Sequence, residues 1–345
     1  MNFAATLLQW FKNNERSLPW RETKDAYAIW LSEVILQQTR IVQGMSYWER
    51  FMAQWPTVND LAAATENEVL KAWQGLGYYS RARNLHTAAQ QVVELGGFPQ
   101  TFKELKTLKG VGDYTAAAIA SIAFGEPVAV VDGNVYRVLS RYYGIDTPID
   151  STEGKKEFQA LAQSLLPINE PADYNEAIMD FGATQCTPNS PHCSACPLCE
   201  TCVAFREQRI NELPVKSKKV KQRERHFTYL YIEYEGKIAI HQRGAGDIWQ
   251  GLWEFPQEEH LTSSEDSAWK TEVQLLQKGV KHILTHQILL ADIYLWQPTR
   301  RPQLPSEFIW IEKQDLENYA LPRLIEILLK AVPAFNRISI SRGKA

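Results

Sequence analysis

The chain has no cysteine outside one short segment. All five cysteines lie between Cys186 and Cys202, so residues 1–185 and 203–345 contain none. Disulfides in secreted proteins are spread out to close long loops, which argues against such a framework here. Thiolates packed this closely can all reach one centre with little loss of chain entropy, and they indicate a metal or iron-sulfur site.

Long apolar runs are also lacking, and none approaches the length of a membrane span. Residues 1–20 have apolar residues at helical spacing, but charges interrupt them and there is no continuous apolar stretch of the kind found in a signal peptide. We therefore expect a protein of the reducing cytoplasm, without a membrane partner. We also expect it to act as a monomer.

The chain also has no strong excess of positive or negative charge. The formal net charge is −3, which neither favours nor excludes nucleic acid as a ligand. Any such binding must depend on local patches. The chain also lacks internal repeats and low-complexity tracts.

The chain is long enough for two domains, because 345 residues that are 45% hydrophobic can bury two ordinary cores. Residues 1–205 have apolar residues at three- and four-residue spacing and are predicted to be all-α. Residues 226–345 contain β-branched and aromatic runs, followed by one helical pattern, and are predicted to be α+β. The predicted strands and helix are Phe227–Tyr234, Lys237–Arg243, Val280–Trp296, Phe308–Glu312 and Leu321–Ala331.

A basic linker is predicted over residues 206–225. Its cations include Lys216, Lys218, Lys219, Lys221, Arg223 and Arg225. It is either a soluble tether or a strap along a phosphate backbone, and composition does not decide between the two.

The cysteine spacing favours a [4Fe-4S] cluster over a structural zinc. Zinc sites more often have two close ligand pairs some distance apart, and no second pair stands apart from this loop, residues 186–202. Zinc remains the alternative, with His192 as the nearby spare ligand. The four predicted cluster ligands are Cys186, Cys193, Cys196 and Cys202, and Cys199 is expected to be a bystander.

A glycine-containing turn lies between two helical patterns. Gly110, Val111 and Gly112 allow a sharp turn, and their amides would lie at a helix N-terminus, where phosphate binds well. Such a grip on DNA does not depend on base sequence. The alternative is an ordinary turn between helices with Asp113 as the N-cap.

Two acidic residues are candidates for chemistry. Asp132 follows an apolar run and precedes a helix predicted to begin near Asn134, so its charge would be favoured there, although a plain N-cap needs no further function. Glu33 interrupts a strongly apolar helical segment, where a carboxylate is costly without a task or partner. Burial would raise the pKa of Glu33 and let it act as a general acid near neutral pH.

The turn, the downstream Asp132 and the four-cysteine loop together resemble the helix-hairpin-helix DNA glycosylases over nearly all of residues 1–205. Within that group, four longer stretches are similar to the MutY family of adenine DNA glycosylases. They are Leu18-Pro-Trp-Arg21, Ser32-Glu-Val-Ile-Leu-Gln-Gln-Thr39, Gly75-Leu-Gly-Tyr-Tyr-Ser-Arg-Ala-Arg-Asn84 and Asn175-Glu-Ala-Ile-Met-Asp-Phe-Gly-Ala183.

The resemblance implies a monofunctional glycosylase. Glycosylases that also cut the strand use a lysine after the hairpin to form a Schiff base. The similar position here is Tyr114, and Lys109 lies on the wrong side of the glycines. The runner-up enzyme, a glycosylase with lyase activity toward oxidised pyrimidines, is therefore disfavoured. A non-catalytic DNA-binding redox sensor is the second alternative, and the presence of both Glu33 and Asp132 argues against it.

Residue roles follow from the same resemblance. Glu33 would protonate N7 of adenine and later deprotonate the water, while Asp132 would stabilise the positive charge on the deoxyribose. Tyr114 and Asn134 are similar to residues that assist at the sugar. The other implied positions are Trp20, Arg21, Leu36 and Glu176 in the adenine pocket, and Gln38, Thr39 and Tyr78 against the duplex. For Trp20, Leu36 and Tyr78, ordinary packing is an equal alternative.

The second domain resembles the Nudix fold at Gly251-Leu-Trp-Glu-Phe-Pro256, but the acidic residues that bind magnesium in Nudix hydrolases are not found. Leu284, Thr285 and His286 are similar to a loop that recognises 8-oxoguanine, where Phe-Ser-His is usual. Thr keeps the hydroxyl and Leu the apolar wedge. The alternative is a simple turn between strands. The resemblance thus implies removal of adenine opposite 8-oxoguanine, or guanine, in double-stranded DNA.

Overall fold

The computed structural model describes residues 2–217, 222–261, 269–333 and 335. The chain forms two compact units, one made of residues 1–63 and 84–219 and the other of residues 64–83 and 220–345. Residues 64–83, predicted to belong to the helical domain, therefore pack in the second unit. Two of the hydrogen bonds that hold them there run from Lys71 Nζ to Tyr319 O at 3.1 Å and from Arg83 Nη1 to Gln250 O at 2.5 Å.

Helices make up the regular structure of the first 206 residues, as predicted. They are α1 Phe3–Asn14, α2 Ala26–Ile35, α3 Ile41–Gln54, α4 Val58–Ala63, α5 Glu66–Trp73, α6 Ser80–Glu94, α7 Phe102–Leu105, α8 Asp113–Phe124, α9 Gly133–Tyr143, α10 Thr152–Leu165, α11 Pro171–Asp180 and α12 Val203–Arg206. Short 3-10 helices cover Pro19–Arg21, Cys193–Ala195 and Cys199–Thr201, and a π-helical turn covers Phe181–Gln185. The helix predicted over residues 1–20 stops at Asn14, and Pro19 begins a separate turn.

The core of the first unit forms around α2, α8, α9 and α11. Every residue of α2 is buried except Glu33, which is half-buried. A helix that is apolar on all faces belongs inside a protein. α2 packs on α8, and α11 packs on α1, α8 and α9. This packing brings Glu33 from α2, Tyr114 from α8 and Glu176 from α11 into one region.

The second unit contains a mixed sheet. Its strands are β1 Arg223–Tyr234, β2 Lys237–Gln242, β3 Trp253–Glu254, β4 Gln274–Ile283, β5 Gln287–Trp296 and β6 Phe308–Glu312, in the order β3-β2-β1-β5-β4 with β6 also paired to β2. β1 and β5 are parallel, and the other pairs are antiparallel. α13 Trp269–Glu272 precedes β4, and α14 Arg323–Leu329 is buried on one side by the same apolar core as the sheet.

The strands and last helix follow the predicted runs with several differences. β3 was not predicted, and β4 begins at Gln274 rather than Val280. The run predicted over residues 280–296 is split between β4 and β5 by a turn at residues 284–286. The helix predicted from Leu321 begins at Arg323, because Pro322 has an extended backbone and forms its N-cap. β1 begins at Arg223, inside the predicted linker. The linker residues Lys218, Lys219 and Lys221 lie outside the described residues. No helix in the described ranges is both long and apolar enough to cross a bilayer.

Candidate active site and cysteine loop

The glycine turn has the close backbone packing that its sequence predicts. Gly110 has a φ of 76°, and a Cβ added there would lie 2.6 Å from Asn84 Cβ, so a side chain would be both strained and obstructed. Val111 is buried, and Gly112 is the N-cap of α8. Asp113 is therefore the first helical residue rather than the N-cap. The amides at the start of α8 have no acceptor within the helix, which suits them to an anion.

Asp132 is the N-cap of α9, as predicted. Its Oδ1 accepts hydrogen bonds from the backbone N–H of Asn134 at 2.9 Å and of Val135 at 2.8 Å, and its Oδ2 accepts one from Asn134 Nδ2 at 2.8 Å. Burial nevertheless raises the pKa of Asp132, and these hydrogen bonds oppose the rise. The carboxylate is thus fixed in orientation but costly to ionise, which differs from the favoured charge that its place at a helix start predicts.

Glu33 has the raised pKa that its apolar surroundings predict. Burial raises the pKa of Glu33 to about 7, a hydrogen bond with Tyr114 opposes the rise, and the negative charges of Asp132 and Glu176 add to it. The Tyr114 hydroxyl also lies 3.4 Å from the sulfur of Met179. Near neutral pH this carboxyl group can therefore exist in either protonation state, as a general acid and base requires.

The four residues predicted to line the adenine pocket differ in their surroundings. Trp20 is buried, with its ring centroid 5.6 Å from that of Trp48, and Leu36 is half-buried at the end of α2. Arg21 Nε lies 3.2 Å from Glu176 Oε1. Burial raises the pKa of Glu176, and the positive charge of Arg21 opposes the rise. The packing alternative thus describes Trp20 well, whereas Arg21 and Glu176 form a polar pair beside Glu33.

Two of the residues predicted to contact the duplex have a strained backbone. Gln38 has a φ of 59° and Tyr78 a φ of 47°, in the left-handed region that residues other than glycine seldom adopt. Strain of this kind is concentrated at functional sites. The side chain of Gln38 is exposed, Thr39 is half-buried, and Tyr78 is 48% exposed. Ordinary core packing therefore does not account for Tyr78.

Asp180 and Arg137 are two site residues that the sequence did not reveal. Asp180 is buried, and both Nη atoms of Arg21 donate to it at 2.8 Å. Arg137 donates from Nη2 to Asn134 Oδ1 at 2.8 Å and from Nε to Cys186 O at 2.7 Å, and so connects the Asp132 cap with the cysteine loop. Helical spacing in the sequence could have indicated both residues, because Asp180 is four residues after Glu176 and Arg137 is three residues after Asn134.

The cysteine loop surrounds an apolar cavity. The walls include all five cysteines and, among the apolar side chains, Val138, Phe181, Leu198 and Ile210. Arg141 holds the loop by donating from Nη1 to Thr187 O at 2.7 Å and from Nη2 to Pro188 O at 3.0 Å. Burial raises the pKa of the Cys196 thiol to about 12, so this thiolate needs a compensating positive centre.

All five thiols line the wall of the same apolar cavity. Among residues 2–217, 222–261, 269–333 and 335, no three His, Cys, Asp or Glu side chains come close enough together to hold a single metal ion. Cys199 lines the same cavity as the four predicted ligands, so the geometry does not separate it from them.

In the second unit, the turn at residues 284–286 faces Tyr78. The hydroxyl oxygens of Tyr78 and Thr285 are 2.6 Å apart. Leu284 N donates to Gln287 O at 2.8 Å, and Arg223 N donates to His286 O at 2.9 Å. A cavity of about 430 Å³ lies beside this contact, lined by Leu76, Gly77, Tyr78, Tyr79, Ser80, Arg83, Asp247, Ile248, Trp249, Ile283, Leu284, Thr285, His286 and Gln287. These residues do form a turn between strands, and the Thr285 hydroxyl lies against Tyr78, which is predicted to contact the duplex.

Glu254, in the stretch that resembles the Nudix fold, is occupied by protein partners. Its carboxylate accepts hydrogen bonds from Tyr229 Oη at 3.0 Å and from Arg243 Nη1 at 2.6 and 2.7 Å, and His241 Nε2 lies 3.1 Å away. Burial alone would raise the pKa of Glu254, but His241 and Arg243 outweigh burial and lower it. This carboxylate is therefore a structural anchor of the described fold.

Comparison with known proteins agrees with the two-part organisation. The family model of the HhH-GPD superfamily base excision DNA repair proteins matches residues 31–167, and that of the NUDIX domain matches residues 228–331. A solved thermostable thymine-DNA glycosylase is similar to the helical part, with a TM-score of 0.55 and 31% identity over 59% of this chain and 95% of that chain. The predicted fold class, a helix-hairpin-helix module followed by a Nudix-like domain, is thus confirmed.

Two relatives cover almost the whole chain. The adenine DNA glycosylase of Mus musculus is 37% identical over 92% of this chain and 75% of its own length. That of Buchnera aphidicola subsp. Acyrthosiphon pisum is 30% identical over 95% of this chain and 97% of its own length. The fold, the matched family models and these full-length similarities lead to one conclusion: the chain belongs to the adenine DNA glycosylase family of base excision repair enzymes.

Proposed function

We propose that this protein hydrolyses the N-glycosidic bond of adenine opposite 8-oxoguanine, or opposite guanine, in duplex DNA and leaves an abasic site. The observation that carries the proposal is the environment of Glu33, a carboxyl group with a pKa of about 7 next to Tyr114 and under the influence of Asp132. Two carboxyl groups in unlike environments can perform unlike tasks in glycosidic bond cleavage.

Glu33 acts first as a general acid. Adenine is a poor leaving group as an anion, and a proton delivered to its N7 makes it a better one. A group with a pKa near the working pH is the most effective donor. After the bond breaks, the Glu33 carboxylate takes a proton from the attacking water and returns to its starting state.

Asp132 stabilises the sugar. Positive charge grows on the deoxyribose as the bond breaks, and a carboxylate held by three hydrogen bonds does not need to reorganise in order to stabilise that charge. Asn134 contributes one of these hydrogen bonds from its side chain. Tyr114 occupies the position of the Schiff-base lysine and hydrogen-bonds to Glu33, so the proposal is a monofunctional enzyme that leaves the strand intact.

Recognition is divided between two sets of residues. After the adenine leaves the helix, it is held by Trp20, Arg21, Leu36 and Glu176. The duplex is contacted by Gln38, Thr39 and Tyr78. The hairpin at Gly110, Val111 and Gly112 holds phosphate. The turn formed by Leu284, Thr285 and His286 inspects the opposite base, with the Thr285 hydroxyl replacing the usual serine. We assign catalysis to residues 1–205, the linker to residues 206–225 and recognition of the opposite base to residues 226–345.

The cysteine loop is proposed to hold a [4Fe-4S] cluster through Cys186, Cys193, Cys196 and Cys202. The apolar cavity, the thiols spread around its wall and the positively charged Arg141, with Nη1 3.5 Å from Cys186 Sγ, support this assignment. The cluster, when bound, would fix the loop that follows α11. With nucleoid DNA as its substrate, the protein is proposed to act as a monomer in the cytoplasm.

The proposal is tested with four duplexes that carry one adenine opposite 8-oxoguanine, guanine, cytosine or thymine. With enzyme in excess, adenine should be released fastest opposite 8-oxoguanine and next fastest opposite guanine, and Glu33→Gln should abolish release from both. Asp146→Asn is a matched control, because Asp146 is an exposed carboxylate with no assigned part in the proposed site, and it pairs with Arg209 at 3.5 Å. Equal release from all four duplexes, or full release by Glu33→Gln, would contradict the proposal.

A further inference from the structure

Asp180 is a buried carboxylate with two arginine partners. It is the last residue of α11, and its side chain is fully buried. Arg21 binds it with both ends of the guanidinium group, from Nη1 to Oδ2 and from Nη2 to Oδ1, each at 2.8 Å. Arg16 donates to the same carboxylate from Nε at 3.0 Å and also from Nη2. A bidentate contact of this kind fixes direction as well as distance.

This contact fixes the direction of the Arg21 guanidinium group. Both Nη atoms are turned toward Asp180, and the Nε edge is turned toward Glu176, with Nε 3.2 Å from Oε1. The Arg21 side chain is only 8% exposed, and its guanidinium lies 5.5 Å from the ring centroid of Phe11. Arg21 is therefore held in one orientation before any ligand arrives.

Asp180 and Glu176 have opposite electrostatic behaviour although they are one turn apart on α11. Burial alone would raise the pKa of Asp180, but the hydrogen bonds from Arg21 and Arg16 outweigh burial and lower it. The pKa of Glu176 is raised, because burial there exceeds the effect of Arg21. Asp180 thus remains ionised near neutral pH and anchors the arginine pair.

Asp180 lies at the point where α11 changes into a π-helical turn. The π-helical turn Phe181–Gln185 begins directly after Asp180, and Thr184 Oγ1 donates to Asp180 O at 2.9 Å. A π-helical turn holds more residues than an α-helical one and so changes the direction of the side chains that follow it. Glu176 and Asp180 lie four residues apart and so share one face of α11. Cys186, one residue after the π-helical turn, lines the cavity of the cysteine loop.

We propose that Asp180 is a positioning residue that sets the base specificity of this site through Arg21. This inference rests on the proposed function, since it takes adenine as the base in the pocket. Adenine offers an exocyclic amine that donates and ring nitrogens that accept, whereas hypoxanthine offers a carbonyl at the corresponding position. A carboxylate such as Glu176 suits the amine, and a fixed arginine N–H suits a ring nitrogen. Asp180 keeps these two groups paired and in register.

The test compares two bases in the same duplex context. Single-turnover rate constants are measured for adenine and for hypoxanthine opposite 8-oxoguanine, with wild type, Asp180→Asn and the control Asp146→Asn. Asparagine keeps the shape of Asp180 but loses its charge and one acceptor, so Arg21 is released. We expect the adenine-to-hypoxanthine ratio to fall about tenfold in Asp180→Asn and to stay unchanged in Asp146→Asn.

A merely structural role predicts a different result. It would lower the melting temperature and both rate constants together and leave the ratio unchanged, which overturns the inference. If Asp180→Asn does not fold, Asp180→Glu takes its place, because the added methylene also displaces the Arg21 contact and should also lower the ratio. An unchanged adenine-to-hypoxanthine ratio in a variant that folds would refute the role of Asp180 but not the proposed function. Absence of adenine release by wild type refutes the proposed function itself.

Discussion

Tyr78 Oη lies 2.6 Å from Thr285 Oγ1, although 207 positions separate the two residues in the sequence. The strained, half-exposed tyrosine of one loop thus touches the turn between β4 and β5. Both residues are predicted to contact DNA, Tyr78 at the duplex and Thr285 at the base opposite adenine. Their contact places the two proposed DNA contacts on one surface of the second unit.

We expect the Thr285 hydroxyl to contribute to the choice between 8-oxoguanine and guanine. Replacing Thr285 with Val removes the hydroxyl and keeps the shape, and one hydrogen bond is worth about 0.5–1.5 kcal/mol. The preference for 8-oxoguanine over guanine should therefore fall about 2- to 13-fold, measured as a ratio of single-turnover rate constants. Thr285→Ser is the control and should keep the preference. A Val variant with the wild-type ratio would show that the hydroxyl has no part in recognition.

The rate of excision should depend on the protonation of Glu33. With a pKa of about 7, this residue is protonated at lower pH and loses its proton as the pH rises. The single-turnover rate constant should thus decrease above pH 7, by about tenfold for each further pH unit. A series of rate constants at pH 6–9 with constant ionic strength checks this. A rate that increases steadily over that range would contradict the role of general acid.

The same carboxyl group should reduce stability at alkaline pH. The pKa of Glu33 is raised from 4.5 to about 7, so the folded state holds its proton while the unfolded state has lost it, and stability falls as the pH rises through this window. The 2.5-unit difference corresponds to a loss of up to about 3 kcal/mol above pH 7. Glu33→Gln should therefore raise the free energy of unfolding at pH 8 and have little effect at pH 4.5. Urea denaturation at both pH values measures this, and equal effects at the two would be inconsistent with the raised pKa.

Asp132→Asn should separate chemistry from folding. Asparagine is as good an N-cap as aspartate, so the melting temperature should change little. The charge that stabilises the sugar is lost, and excision should slow by about 10²–10³-fold. Binding of the variant to a duplex with adenine opposite 8-oxoguanine should stay close to that of wild type. Loss of binding or folding together with excision would instead assign Asp132 a structural role.

Metal content should distinguish the four proposed ligands from Cys199. Cys196→Ser replaces a soft thiolate with a hard oxygen and should lower the iron content from about four per chain, whereas Cys199→Ser should retain it. Iron, zinc and acid-labile sulfide are measured on protein purified without oxygen. Zinc without sulfide in wild type would support the structural zinc alternative. Loss of iron in Cys199→Ser would show that Cys199 is a ligand rather than a bystander.

The sequence predicted most of what depends on local pattern. Glu33 stands out because one acid interrupts an apolar helix, and Asp132 because it lies at a helix start after an apolar run. The parts it did not predict depend on contacts between distant segments. Asp180 is on an amphipathic helix like many others, and only folding places Arg16 and Arg21 against it.

The packing of residues 64–83 in the second unit depends on such distant contacts as well. Residues 64–83 have the helical pattern of their neighbours, and nothing local indicates that Arg83 donates to Gln250 or that Lys71 donates to Tyr319. The raised pKa of Asp132 is a second case, since the N-cap is local but the burial that opposes its charge comes from tertiary packing.

The most direct test of the account is single-turnover excision on a duplex with one adenine opposite 8-oxoguanine, with each time point divided and quenched with or without alkali. Strand breaks that appear only after alkali are the predicted result, because removal of the base alone leaves an abasic site in an intact strand. Breaks of equal extent without alkali would contradict the monofunctional mechanism and support a lyase. The absence of breaks in both halves would contradict the assignment of Glu33 and Asp132 to catalysis.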